Sequence, residues 1–253
     1  MKNNIVSIEL QESQFANPQE VAEESAFGAE FLGWEFFQNF ESRFEEVGFH
    51  HVRWPGGIPV EDGINVDGSS DGSREQVFDL TADNYVVWYR LNGTPREGIR
   101  EMLDFAVSNN VSLSIVIPTS RYVESIRENG IEQGISEARS ETKDFVAKLL
   151  AGEFGKLPEH LTLEIGSEYY STKVWQKYTS DDEGNPYSVL PDDLASQFGD
   201  VFAAMVDEID NALQNPEINS KKIDLDIAVQ LGRQGSNPNP NVGNVSINDS
   251  INS

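Results

Sequence analysis

Short runs of alternating apolar residues recur along this chain, separated by longer stretches in which apolar residues return every three or four positions. Ala26–Leu32, Phe49–Trp54, Val111–Ile117, Leu161–Ser167 and Ile223–Leu231 have the length and β-branched or aromatic content of core strands. Between them, Trp34–Val47 carries Phe36, Phe37, Phe40, Phe44 and Val47 at helical spacing, with Gly48 placed to end the helix. Pro95–Asn109 (Ile99, Met102, Leu103, Ala106) and Ile135–Leu150 (Phe145, Leu149) read as two further helices. A fourth begins near Asp192 and continues through Leu194, Phe198, Val201, Phe202, Met205, Ile209 and Leu213. Strands alternating with helices of this length predict βαβ units and a parallel sheet. Five such strands are visible. A closed barrel needs eight, and an open three-layer sheet can be built from five, so periodicity leaves both architectures open.

The flanks differ in character. Residues 1–25 are polar and rich in Gln and Glu, with a short strand expected over Ile5–Leu10, and read as a lead-in to a domain spanning 26–232. Residues 233–253 are rich in Asn, Ser and Pro and nearly free of core-forming side chains, the composition of a flexible tail. Two long polar loops interrupt the domain, one around Asp67–Gly72 and one over Tyr170–Pro191.

Composition narrows the chemistry. With 43 acidic against 18 basic residues the formal charge is −25, a field that repels nucleic acid and anionic membranes, so neither is an expected partner. The chain has no cysteine, which removes disulfides and thiolate metal sites. Of its three histidines, His50 and His51 point to opposite faces of a strand and His160 is distant in sequence, so no metal site is expected. Asp67, Asp71, Asp181, Asp182 and Glu183 lie in loops that could hold calcium through oxygen ligands, but none matches the spaced acidic loop of an EF-hand and there is no glycine-rich nonapeptide array; solvated acidic loops are the better reading. The first ten residues lack the apolar core of a signal peptide, and no window is long and apolar enough to span a membrane.

Two segments carry candidate chemistry. Leu161–Ser167 is a strand that breaks at Gly166 and is followed by Glu168, Tyr169 and Tyr170. A carboxyl group just past the C-terminal end of a parallel strand, beside aromatic rings, is suited to general acid work on a sugar-sized substrate. The competing reading is a solvated loop Glu beside packing tyrosines. Arg53 stands near the end of the second strand, beside Trp54; it either clamps a catalytic carboxylate or forms a structural ion pair. Pro55-Gly56-Gly57 follows, a tight turn whose small residues let backbone amides face a ligand.

Val52-Arg-Trp-Pro-Gly-Gly57 resembles the Arg-(aromatic)-Pro-Gly-Gly segment after the second strand of several (β/α)8 glycoside hydrolases of the retaining, paired-glutamate clan. Leu163-Glu-Ile-Gly-Ser-Glu-Tyr169 is similar to that clan's fourth-strand motif, commonly Glu-Ile-Gly-Asn-Glu. The resemblance runs from about residue 26 to residue 232. It implies a TIM-barrel-like fold, present here to about its fifth βα unit, and a carbohydrate substrate. It assigns Glu168 to the general acid/base, Arg53 to the support of the nucleophile, and Tyr169 and Trp54 to the subsite wall; Tyr170, which could stack on a sugar face, and Gly56 and Gly57 of the turn complete the candidate substrate-binding set from the residues themselves. Ser167 stands where the clan has an Asn that contacts the sugar 2-hydroxyl, which puts that contact in doubt. The clan's nucleophile belongs to a seventh strand, for which no residue of this chain can be named, so the chain alone is expected to hydrolyse little or nothing. The alternative is a non-catalytic carbohydrate-binding or scaffold module. The resemblance also extends to modules of large acidic bacterial proteins exported without a signal peptide, which implies an extracellular or cell-surface location and further domains of the same parent chain; a cytoplasmic location is the alternative.

Overall fold

The computed structural model describes residues 28–30, 49–56, 59–62, 78–85, 90–91, 94–95, 98–167, 192–223 and 225–229. In chain order these hold β1 (Gly28–Glu30), β2 (His51–Trp54), α1 (Pro59–Asp62), β3 (Arg90–Leu91), β4 (Thr94–Pro95), α2 (Ile99–Asn109), β5 (Ser112–Ile117), α3 (Ser120–Asn129), α4 (Ile131–Ala151), β6 (Leu161–Ile165), α5 (Asp192–Gln214) and β7 (Asp226–Val229). The predicted helix over Trp34–Val47, the strand over Ile5–Leu10, the lead-in and the tail lie outside the described residues.

All four pairings of the main sheet are parallel, and its order is β1-β2-β5-β6-β7; β3 and β4 form a separate two-residue antiparallel ladder. Omitting that ladder, the strands lie side by side in the order in which the chain makes them. A doubly wound sheet reverses its order once; this one does not reverse among the described strands. Right-handed crossovers between strands laid down in one direction stack their helices on one face. The helix contacts agree: α4 packs against α3 and α5, α2 lies on β5, and α5 lies on β6 and β7. The expected α/β class with a parallel sheet is therefore present, with five strands of that sheet among the described residues.

Alternation along the strands separates the two faces. Val52 and Trp54 of β2, Leu113, Ile115 and Ile117 of β5, and Leu161, Leu163 and Ile165 of β6 are buried, and join Phe145 and Leu149 of α4 and Phe198 and Phe202 of α5 in one core. The other face carries His51, Arg53, Ser114, Thr162 and Glu164. Parallel sheets are commonly apolar on both faces; here the face away from the helices is mostly polar among the described residues, with Val116 as a buried apolar member.

Two boundaries differ from the periodicity. The helix expected from Pro95 begins at Ile99, because Pro95 pairs with Arg90 in the small ladder. Asn84, brought in by the Phe78–Tyr85 turn, accepts from the N–H of Arg100, while Glu101 accepts from the N–H of Gly98. These groups fix the start of α2 by satisfying first-turn donors. The helix expected from Ile135 begins four residues earlier at Ile131, and α3, not anticipated, precedes it. Gly130 at φ +95 makes the turn between them.

Candidate functional site

The C-terminal ends of β2, β5 and β6 bring the notable polar residues together. Arg53 and Glu164 sit on the polar face of alternate strands, with β5 between them. The guanidinium grips the carboxylate bidentately, Nε to Oε2 at 2.7 Å and Nη2 to Oε1 at 2.7 Å. Both side chains are mostly shielded, 18% and 13% exposed, so the pair is held by planar fork geometry as well as charge. Arg53 Nη2 also donates to Ser167 Oγ at 3.3 Å. One row back, His51 Nε2 lies 3.2 Å from Ser114 Oγ. Partial burial lowers the imidazole's pKa from its ordinary value, and the Glu164 carboxylate opposes that shift.

Beside this pair lies a second carboxylate that the sequence did not single out. Glu61 of α1 is 1% exposed. Its Oε2 accepts from the backbone N–H groups of Thr119 (2.9 Å) and Ser120 (2.7 Å); its Oε1 accepts from Thr119 Oγ1 (2.9 Å) and from the N–H of Ser167 (2.9 Å). Ser120 Oγ donates in turn to the Glu61 carbonyl. Burial raises the Glu61 pKa, and the donors from Ser120, Thr119 and Ser167 act against that rise. Two of them open α3, a helix without a side-chain cap of its own, so Glu61 supplies from a distance the anion a helix N-terminus favours.

The structure treats the sequence-derived candidates unequally. Arg53 is on the polar face, with Glu164 and Ser167 among its partners. Ser167 is fully buried, its N–H committed to Glu61 and its hydroxyl accepting from Arg53. Trp54, assigned by resemblance to a subsite wall, is 1% exposed and points the other way, toward the helices. It packs edge-on against Phe78 and Tyr85, at centroid distances of 6.0 and 5.7 Å, and Tyr85 in turn contacts Phe145 of α4. Its ring is a core element: alternation sends Arg53 and Trp54 to opposite faces, so only one of them reaches the polar side. Gly56 is buried beside the cis Trp54–Pro55 peptide. Glu168, Tyr169, Tyr170 and Gly57 lie outside the described residues, as do the acidic residues weighed for calcium.

Glu164, Glu61, Thr119 and Ser120 were missed. Glu164 had a signal: it is the acidic member of the polar set in Leu161-Thr-Leu-Glu-Ile165, two strands from the one Arg in β2. Glu61 had little, lying in an acidic stretch without periodicity. Among the described residues no group of three or more His, Asp or Glu side chains could hold a metal ion. No described helix is long and apolar enough to cross a membrane. Grooves of about 700 Å3 between α4 and α5, and of about 400 Å3 near Asn110 and His160, are not lined by Arg53, Glu61 or Glu164. Compared with known proteins, the chain matches no family model, no curated protein and no solved structure.

Proposed function

We propose that this chain is a glycoside-hydrolase-like module that takes a carbohydrate at the C-terminal edge of its parallel sheet, with Glu168 as the proton-handling carboxyl group. The observation that carries the reading is the organised polar edge at that end: Arg53, Glu164, Ser167 and Glu61 converge where β2 and β6 finish, one residue before Glu168. Sites in parallel α/β folds lie at the C-terminal ends of the strands. The unreversed strand order is that of a (β/α)8 wall and supports a barrel-type architecture over a doubly wound one. Charge favours a neutral sugar over an anionic ligand.

A second reading, carbohydrate binding without cleavage, is favoured by a specific observation. Retaining hydrolysis needs two carboxyl groups about 5–5.5 Å apart, one of them free to attack. Among the described residues Glu164 is engaged at both oxygens by Arg53 and Glu61 is buried under four donors, so neither stands as a free attacking carboxylate. The parent protein's further domains and an extracellular or cell-surface location belong to the same proposal.

Screening the full chain against neutral oligosaccharides, then repeating turnover and binding with Glu168→Gln, tests both readings. Cleavage abolished by the variant supports the hydrolase; binding without cleavage supports the binding module. Failure to bind any neutral oligosaccharide removes both.

A further inference from the structure

Glu61 joins three segments far apart in sequence: α1, the β5–α3 turn (Thr119, Ser120) and the end of β6 (Ser167). Ser167 lies beyond the last paired residue of β6, Ile165, so the sheet itself no longer holds its N–H. That N–H goes to Glu61, and the Ser167 hydroxyl goes to Arg53. The residue from which the chain departs toward Glu168 is thus fixed by two side chains. Among the described residues four groups donate to the Glu61 carboxyl, two to each oxygen. The amide of a Gln would set its N–H groups against a backbone N–H whichever way it turned, against Thr119 and Ser120 on one side or Ser167 on the other.

We propose that Glu61 is a positioning residue of the carbohydrate site: its carboxylate locks the exit of β6 at Ser167 to the start of α3 and so sets where the edge presents its ligand-facing groups. The ligand half of this inference rests on the function proposed above; the lock at Ser167 does not. A purely structural carboxylate would change stability and the Ser167 amide but leave the sugar affinity of the folded chain unmoved.

The test uses the full chain, wild type and Glu61→Gln, with amide hydrogen exchange resolved by residue and oligosaccharide affinity measured at a temperature where both are folded. The expected result is that Ser167 exchange quickens about tenfold or more in the variant, as befits loss of a hydrogen bond to a charged acceptor, while Leu113 and Ile115 keep their protection. Affinity for the oligosaccharide that the wild type binds falls by about the same factor. Unchanged Ser167 exchange, or an equal loss of protection throughout β5 and β6, overturns the proposal. If Glu61→Gln does not fold, the wild-type chain still decides: a Ser167 amide that exchanges as fast as a solvent-exposed one overturns the lock, and a protected one supports it. A wild-type chain that binds no neutral oligosaccharide overturns the ligand half, while Ser167 exchange still judges the lock.

Discussion

Arg53 and Glu164, 111 positions apart in the sequence, meet across β5 through two 2.7 Å hydrogen bonds on the polar face of the sheet. Neither side chain is more than 18% exposed, so breaking the pair from one side leaves a poorly solvated charge. A double-mutant cycle with Arg53→Met and Glu164→Gln should give a coupling energy of about 1–3 kcal/mol in urea unfolding, each single variant costing more than its share of the double. A coupling near zero would mean the two groups hold water rather than each other.

His51 should make stability depend on pH in a defined direction. Its folded pKa is lowered from 6.5, by burial first, with Glu164 acting against the shift. Between the lowered value and 6.5 the unfolded chain takes up a proton that the native chain resists, so stability falls as pH drops through that window. Comparing urea midpoints from about pH 7.5 to about pH 5.5, His51→Gln should lose less stability than the wild type. Equal losses in the two proteins would contradict the assignment.

At Gly134, α4 lies against the backbone of α3 with no room for a side chain. A methyl group there would stand 2.7 Å from the backbone N of Ile126 and 2.7 Å from the carbonyl O of Tyr122. Alanine is the better helix former by about 1 kcal/mol, yet overpacking against rigid backbone costs about 1–3 kcal/mol. Gly134→Ala should therefore lower the thermal midpoint. A raised midpoint would show that the two helices can part at little cost.

What the sequence made legible is what local pattern encodes. Leu161-Thr-Leu-Glu-Ile165 and Ser112–Ile117 announce their strands because one side of each must be apolar. The helix beginning at Asp192 announces itself through seven apolar residues at helical spacing. Helix α3 was missed because its apolar residues are only Tyr122, Val123 and Ile126 in a polar run, and because its start is capped by Glu61, 58 residues away. The same limit applied to the site. Arg53 could be recognised as needing a partner, but Glu164 becomes that partner only once the strand order is known. Trp54 was misplaced for a local reason: as the residue after Arg53 in a strand it must face the other way, and the aromatic residues that receive it, Phe78 and Tyr85, come from a segment with no regular pattern.

The central claim is that the C-terminal edge of the sheet receives a carbohydrate. Amide chemical shifts of the full chain, followed during titration with the neutral oligosaccharide that binds best, test it most directly. The expected result is that shifts cluster at Arg53, Gly56 and Ser167, while Ser112 and Leu161, at the opposite ends of their strands, stay still. Shifts confined to that opposite end, or no binding by any neutral oligosaccharide, would contradict the claim.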